Sequence, residues 1–412
     1  MNKLMTANIK NEIKEKIVET CKSKNPILIE DKSKRIIKDT LRLSSSIIES
    51  EIYPALLLLF NVDKKFNVIH IDFPFNIGKF DANSIRTDLF FNDVFVDSKD
   101  PYRTPKFICS SRNILILVKK LLTEDGIVLM HIGSEYHYTL GNLCDEIFNR
   151  ENQITEFTWA NNEGGGSSDS NLFPNKQRSI LCYAINKAST KVHKTKLTEK
   201  DIEKYNKKDK YINERGPYQP VELDPSGIRE SYRYPILLTN GEKVYPRNNG
   251  WRFKEDTYLI RQKKGMCGYI KKKDKYRIYV KQYLYANDEG ETYVNGVKYI
   301  RTKTLNSVIN EYSTTQATKQ QKKMFGKKVF DYPIPIELIE HLLSIFTEKD
   351  SNILSIYAND GVVGHATLKL NKSDGGNRRF VLCTHNRNNV CTDVCYPRIQ
   401  KVIGGYTASN GD

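Results

Sequence analysis

Residues 355–366 read Ser-Ile-Tyr-Ala-Asn-Asp-Gly-Val-Val-Gly-His-Ala (SIYANDGVVGHA), a stretch with small residues around one tight turn. An amphipathic run, IELIEHLLSIFTEKDSNIL, precedes it, and a second helix-like run, HATLKLN, begins within it. A strand, a tight turn of small residues and a helix open many nucleotide-binding sites. This turn has one glycine where such turns usually have two, and Ser355 stands where a strand-end carboxylate is expected. The stretch is therefore a working cofactor loop, a degenerate one or an ordinary turn.

Strand and helix patterns alternate on both sides of this stretch. Strands are predicted in FNVIHID, DGIVLMHIG, QITEFTWA, QRSILCYAIN, SNILSIYA and RRFVLCTH, and helices in SSRNILILVKKLL, YTLGNLCDEIFNR, IPIELIEHLLSIF, VGHATLKLN and DVCYPRIQKVI. Such alternation is typical of an α/β fold with a mostly parallel, doubly wound sheet. Because ligands bind beyond the carboxyl ends of the strands in these sheets, the turns at 72–78 and 355–361 are the candidate sites.

The pattern divides the chain into four segments. Residues 1–58 are predicted to be helical, and SSSIIESEIYPALLLLF is expected to form one helix of this segment. Residues 59–189 and 326–412 carry the α/β pattern. Residues 190–325 are rich in Lys and Tyr, with short strand-like pieces, and are predicted to be an inserted basic α+β domain. The α/β fold is therefore expected to be split by the insert.

Composition limits the partners. A formal charge of +16 and a pI near 9.2 indicate a polyanionic partner, with nucleic acid as the first candidate, or else only a solvated basic surface.

None of the eight cysteines forms a Cys-x-x-Cys pair, so we expect reduced thiols and no metal. No apolar run is long enough to span a bilayer and the N-terminus is not signal-like, so we expect an intracellular protein, bacterial or viral.

The turn at 72–75 combines an acid, a backbone carbonyl and an aromatic ring. The Asp72 carboxylate and the Phe73 carbonyl are two acceptors, and the Phe75 ring offers a flat face beside Pro74. Together they suit the exocyclic amino group of a nucleobase. A strand-ending Asp before a proline turn is also a common structural residue, so the tetrapeptide alone decides little.

Several segments resemble one family. IDFPFNIG is similar to the Asp-Pro-Pro-Tyr motif of amino-group DNA methyltransferases. LLTEDGIVLMHIGSE, LCDEIFNRENQI, NNEGGGSSDSNLF, NGWRF, MFGKKVFDYPIPIELIEHLL and LNKSDGGNRRFVLC occur in the order found in modification subunits of type III restriction–modification systems. The resemblance implies a Rossmann-like S-adenosylmethionine-dependent methyltransferase fold and methylation of adenine N6. It also implies a catalytic half at 59–189, a target-recognition region at 190–325 and a cofactor half at 326–412.

The cofactor loop departs from the family pattern, which resembles Asp-Phe-Phe-Ala-Gly-Ser-Gly-Thr-Thr-Ala-His-Ala. Ser355 replaces the Asp, Asn359 the first Gly and Asp360 the Ser, whereas Ala358 and Gly361 are kept. An Asn side chain is expected to crowd a ligand that needs close backbone approach. A carboxylate at 360 is expected to repel the carboxylate of the ligand.

The next strand end departs in the same way. Arg387 stands where the family has an acidic residue that holds the ribose hydroxyls, and Arg cannot accept a hydrogen bond. Losing two such bonds costs about 3–6 kcal/mol. At the catalytic turn, Asp72, Pro74 and Phe75 keep the acid and the ring, while Phe73 replaces a rigid proline.

Three functions stay open. The first is a DNA-binding relative whose S-adenosylmethionine site is degenerate, with weak or no activity. The second is an active adenine-N6 methyltransferase, and the third is a structural or assembly protein on a methyltransferase scaffold. Double-stranded DNA is the expected partner, with phosphate contacts predicted from Lys271, Lys272, Lys273, Lys275 and Arg277. The resemblance also implies a homodimer and a helicase–nuclease restriction subunit as partner.

Overall fold

A computed structural model describes residues 45–73, 90–91, 94–95, 101–161, 176–224, 232–247, 250–272 and 275–406. These residues form two compact units. One is Lys194–Leu305, and the other combines the described residues up to His193 with those from Asn306 onward. We call the first unit the insert and the second the sheet unit.

Eight strands form the main sheet of the sheet unit. They are β1 (Ser46–Glu49), β2 (Phe66–Asp72), β3 (Leu122–Ile132), β4 (Gln153–Ala160), β5 (Gln177–Ala184), β6 (Val308–Ile309), β7 (Asn352–Ile356) and β8 (Arg379–Thr384). Their order in the sheet is β1-β8-β7-β2-β3-β5-β4-β6. Only β5 runs antiparallel to its neighbours, so the described sheet is mostly parallel, as predicted.

Helices cover both faces of this sheet. They are α1 (Ile52–Asn61), α2 (Arg103–Leu121), α3 (His137–Phe148), α4 (Thr314–Phe325), α5 (Ile336–Phe346), α6 (Val362–Asp374) and α7 (Tyr396–Gly404). Apolar residues of α1, α2 and α3 share one core with Ile71, Met130 and Leu354 of the sheet. On the other face, α6 approaches β8 so closely that a Cβ at Gly364 would lie 3.0 Å from Leu382. The doubly wound arrangement follows from these two layers.

The face that carries α6 also contains a row of buried polar residues. Ser355 pairs in register with His70 on the neighbouring strand, and the His70 and His131 rings lie 4.8 Å apart. His70 is 2% exposed and Ser355 is 1% exposed. Within the described structure, neither His70 nitrogen nor the Ser355 hydroxyl has a hydrogen-bond partner. Buried polar groups are normally hydrogen-bonded, so this row is unusual for the interior of a sheet.

The prediction of one helix for SSSIIESEIYPALLLLF is wrong. Ser46–Glu49 is a strand that pairs in parallel with β8, and the helix begins only at Ile52. A short apolar run with two β-branched residues fits either structure, and the sheet edge available beside β8 favours the strand. Pro54 then falls in the first turn of α1, where a missing N–H costs little. The rest of the predicted N-terminal segment lies outside the described residues.

The insert is built from short elements around two apolar clusters. Its three-stranded sheet joins Tyr218–Glu222, Cys267–Lys272 and Lys275–Tyr283, with Lys275–Tyr283 in the centre. Its longest described helix is Glu255–Lys263, and it also has the shorter helices Glu199–Ile202 and Ile212–Arg215. Further two-residue strands are Ile236–Leu237, Lys243–Val244, Tyr293–Val294 and Val297–Lys298. Trp251, 2% exposed, anchors the larger cluster.

The chain enters and leaves the insert through one short ladder. Thr195–Lys196 pairs antiparallel with Thr302–Lys303, and the Lys303 ammonium lies 2.6 Å from the Asp201 carboxylate. Residues 306–325, which the sequence placed in the inserted domain, supply β6 and α4 of the sheet unit. The compact insert is thus shorter at its C-terminal end than the predicted range of 190–325.

The described residues contain no helix long and apolar enough to cross a bilayer. The seven cysteines within them form no disulfide, and no cluster of His, Cys, Asp or Glu in this part of the chain has the arrangement of a metal site.

Candidate functional site

Asp72 ends β2 at the carboxyl edge of the sheet. It is 7% exposed and pairs in register with His131 on β3. Seven residues with alternating and β-branched apolar side chains place β2 in the middle of the sheet, which fixes the direction of this carboxylate. The position therefore combines low solvent exposure with the open edge at which ligands bind.

Phe73 anchors the turn that follows. Its backbone N–H donates to the His131 carbonyl at 3.2 Å, and its buried ring packs against Phe107 and Tyr357 with centroid distances of 6.1 and 6.3 Å. Packing of this ring supplies some of the rigidity that a proline would give. Pro74 and Phe75, the predicted turn and stacking residues, lie outside the described residues.

The loop between β7 and α6 is held by its own backbone. The Ala358 N–H donates to the Cys383 carbonyl of β8 at 2.9 Å, and the Gly361 N–H donates to the Ala358 carbonyl at 2.8 Å. Tyr357, Asn359 and Gly361 have φ values of +53°, +47° and +76°. A Cβ at Gly361 would lie 3.1 Å from the Cys395 sulfur, so both the conformation and the space favour glycine there. Each residue of 357–361 is buried.

The loop reaches Asp72, the predicted catalytic acid, through Asn359. Its side-chain Nδ2 donates to Asp72 Oδ2 at 3.1 Å, between residues 287 positions apart in the chain. Asn359 is 8% exposed. The structure thus brings together two of the predicted site residues from different halves of the sheet unit.

Asp360 points into the protein. Its carboxylate lies 2.7 Å from a guanidinium nitrogen of Arg398 on α7, and Gln321 of α4 donates to it at 3.4 Å. The Val362 N–H donates to its other oxygen at 3.2 Å. Asp360 is 3% exposed and Arg398 is 1% exposed. The ion pair neutralises the charge, which removes the basis of the repulsion expected from the sequence.

Gln321 extends this network to a third segment. Its side-chain oxygen accepts from the backbone N–H groups of Val329 and Phe330, both at 3.1 Å. Gln321 is fully buried. One amide therefore fixes the segment after α4, the loop tip and, through Asp360, helix α7.

Ser355 lies inside β7 rather than at its open end. It pairs with His70 on one side and Leu382 on the other, and Ile356 follows it in the strand. Its hydroxyl is buried without a partner among the described residues. The buried hydroxyl therefore lies one residue before the carboxyl end of β7.

Arg387 lies in the turn Arg387–Asn389 after β8 and faces an acid. Its Nη2 is 2.7 Å from Glu51 Oε1, and the two side chains are 29% and 23% exposed. Glu51 directly precedes α1 and lies just beyond β1, the strand next to β8. The carboxyl ends of these two neighbouring strands therefore carry a charge pair.

The predicted phosphate contacts lie on a hairpin of the insert. Lys271, Lys272 and Lys275 are exposed, and the Lys271 ammonium lies 5.4 Å from the centroid of the Tyr276 ring. Arg277 instead donates to Glu222 at 2.6 Å and lowers the pKa of that carboxyl. Lys273 lies outside the described residues.

Three residues of the site were missed by the sequence reasoning. Glu51, Gln321 and Arg398 lie in segments with no motif, and they reach the site only through tertiary packing. The only signal in the sequence was charge. Asp360 and Arg387 differ in charge from the family pattern, and a buried or half-buried charge is normally stabilised by an opposite charge nearby.

The topology and the strand-end loops define the class of the protein. A mostly parallel sheet with one antiparallel strand, helices on both faces and a loop opening α6 form the Rossmann-like methyltransferase fold that the sequence predicts. Residues 66–392 match the family described as DNA methylase, and the chain belongs to that family.

Relatives with curated names agree. The type III restriction–modification enzyme EcoPI Mod subunit of Escherichia phage P1 is 25% identical over 403 residues, covering 86% of this chain and 59% of that protein. The StyLTI Mod subunit of Salmonella typhimurium is 26% identical, covering 66% of this chain and 39% of that protein. These names confirm the resemblance to Mod subunits. The chain spans about three fifths of the first relative and two fifths of the second.

Among solved structures, the cytosine-N4-specific PvuII DNA methyltransferase matches with a TM-score of 0.40 and 10% identity. The match covers 90% of this chain and 94% of that one.

Proposed function

We propose that this protein is a DNA-binding member of the DNA methylase family whose S-adenosylmethionine site is degenerate, so that methyl transfer is weak or absent. The observation that carries the proposal is Arg387. It occupies the strand end where the family has an acid for the ribose hydroxyls, and it is engaged by Glu51 at 2.7 Å. A guanidinium has donors only, so it cannot replace that acceptor.

The loop residues support the same conclusion, because they do not fit the cofactor. Asn359 fills the place of a glycine and is hydrogen-bonded to Asp72. Ser355 offers a buried hydroxyl where the pattern has a carboxylate. Asp360 is paired with Arg398, so its charge is not an obstacle. The misfit therefore rests on shape and on missing acceptors rather than on repulsion.

Titration of S-adenosylmethionine into the pure protein tests this proposal. We expect no heat of binding and no change in melting temperature at about 1 mM ligand, because a ligand stabilises only the state that binds it. The matched variant carries Ser355→Asp, Asn359→Gly and Arg387→Asp, and we expect it to gain stability from the ligand. A rise of several degrees for the unaltered protein would contradict the proposal.

A second candidate function is an active adenine-N6 methyltransferase. Two observations favour it: Asp72 is kept at the end of β2, and the Glu51 carboxylate stands beside Arg387 at the neighbouring strand end. Glu51 lies at the end of β1, one strand away from the usual position of the acid, and its carboxylate can still accept hydrogen bonds from ribose hydroxyls. Transfer of a labelled methyl group to DNA, abolished in both Asp72→Ala and Glu51→Gln, would establish this candidate.

We also propose duplex DNA as the partner of the insert. Residues 194–305 hold 26 Lys and Arg against 15 Asp and Glu, a net +11 of the chain's +16. Exposed lysines interleaved with tyrosines on its hairpin suit phosphate contacts and stacking. A duplex DNA partner implies that the protein acts inside the cell. A homodimer and a restriction subunit remain expectations from the family. DNA binding that weakens with salt would separate this proposal from a purely structural role.

A further inference from the structure

The contact between Asn359 and Asp72 joins a loop residue to the carboxylate of the catalytic turn. The amide Nδ2 lies 3.1 Å from Asp72 Oδ2, and the two residues are 8% and 7% exposed. Asn359 belongs to the loop after β7 and Asp72 ends the neighbouring strand β2. The contact therefore lies at the carboxyl edge of the sheet, within the candidate site.

The chemistry of this contact matches that of a nucleobase amine. A carboxylate only accepts hydrogen bonds, and a side-chain amide presents a planar NH₂ group with two donors. The exocyclic amine of an adenine is also a planar NH₂ group with two donors. Asn359 thus offers Asp72 the same kind of donor that a base would offer.

The surrounding contacts hold the Asn359 amide in place. Asn359 has φ +47°, in the left-handed region that Asn enters more readily than most residues other than glycine. Next to it, Asp360 is tied to Arg398 at 2.7 Å and to Gln321 at 3.4 Å, which immobilises the loop tip. The amide therefore contacts Asp72 from a fixed stretch of backbone.

We propose that Asn359 is a built-in competitor for the amino group of a target base. The inference deepens the proposed function and rests on the role in base recognition that the sequence predicts for Asp72. An adenine whose amine takes the same position at Asp72 Oδ2 must displace the Asn359 amide. A hydrogen bond to a charged acceptor is strong enough to weaken such a ligand about tenfold to a hundredfold.

Base discrimination tests the proposal without the cofactor. The probes are two labelled single-stranded thymidine 15-mers, one with a central adenine and one with purine, which lacks the amine. Their affinities are compared by fluorescence anisotropy. We expect the unaltered protein to bind both alike. Asn359→Gly should prefer the adenine strand by about fivefold or more, and adding Asp72→Ala should abolish this preference.

A matched control comes from the turn after β8. Asn389 has a similar backbone conformation, φ +56°, so Asn389→Gly makes the same substitution away from Asp72 and should leave the ratio unchanged. Asn359→Ala, which removes the amide but keeps a Cβ, guards against a folding defect of the glycine variant.

Two outcomes would overturn the inference. One is a preference for adenine in the unaltered protein that Asp72→Ala removes, because Asp72 would then already be accessible. The other is folded Asn359→Gly and Asn359→Ala proteins that still bind both strands alike. Neither result depends on S-adenosylmethionine. The proposed function is tested separately, by titration of S-adenosylmethionine into the unaltered protein.

Discussion

At the residue scale, Asp360 and Arg398 form a nearly water-free ion pair between the loop and α7. The attraction in such a pair offsets the desolvation of both charges, so removing one partner leaves an uncompensated charge. We expect Arg398→Met to destabilise the protein by about 3–5 kcal/mol, measured by thermal or urea unfolding. The double variant Asp360→Leu, Arg398→Met should recover most of this loss. Equal losses in the single and double variants would show that the pair contributes only packing.

His70 gives stability a pH dependence. Burial lowers its pKa from 6.5 to about 4, partly opposed by Asp72. The folded protein therefore keeps this ring neutral down to about pH 4, whereas the unfolded chain takes up the proton near pH 6.5. The stability is fully present above pH 6.5 and is lost as the pH falls toward 4, by about 3 kcal/mol in total.

Melting temperatures at pH 7.5 and 5.0 check this. His70→Leu should reduce the loss on acidification, leaving the part due to His365, whose pKa burial lowers to about 3. Ser111→Ala, which removes a buried hydroxyl that does not titrate, is the control and should leave the loss unchanged. An unchanged loss in His70→Leu would contradict the assignment.

At the element scale, a glycine in the left-handed conformation directly precedes α6 and another directly follows it. Gly361 and Gly375 have φ +76° and +68°, but a Cβ at Gly361 would meet Cys395 at 3.1 Å, whereas nothing lies within 4 Å of one at Gly375. Both alanine variants lose about 1 kcal/mol to the backbone. We expect Gly361→Ala to lose about 1–3 kcal/mol more, because the π-helical turn Val390–Cys395 must shift. Unfolding midpoints of the two variants measure the difference, and equal losses would refute it.

The elements differ in how well the sequence predicts them. The helices α2, α3 and α5 and the strands β2, β3 and β7 follow from long periodic or continuous apolar runs. β1 does not, because four residues beside a helix take their structure from the free edge of β8. At the site, the two strand-end loops are predictable from the fold class. The pairings of Asn359 with Asp72 and of Arg387 with Glu51 are not, because they join positions 287 and 336 residues apart.

At the scale of the whole molecule, positive charge is concentrated in one unit. We expect the variant Lys271→Ala, Lys272→Ala, Lys275→Ala to bind duplex DNA more weakly. The slope of log affinity against log salt should become shallower by up to about 2.7, which is about 0.9 for each phosphate that the variant no longer neutralises. Anisotropy titrations at several salt concentrations provide the measurement.

The control removes the same charge elsewhere. Lys65, Lys349 and Lys372 lie near the amino ends of β2 and β7 or at the end of α6, at the sheet edge opposite the candidate site. Replacing these three by Ala should leave the slope unchanged. Equal weakening in both triple variants would mean that net charge, rather than the hairpin, controls binding.

The ladder between Thr195–Lys196 and Thr302–Lys303 has a consequence for how such proteins diversify. Because entry and exit are hydrogen-bonded neighbours, everything between them is a cassette whose two junctions already lie side by side. Genetic exchange of that cassette would leave the order of the eight-stranded scaffold intact. With the role proposed for the insert, a lineage can acquire a new DNA preference in one recombination event that leaves the loop at 357–361 unchanged.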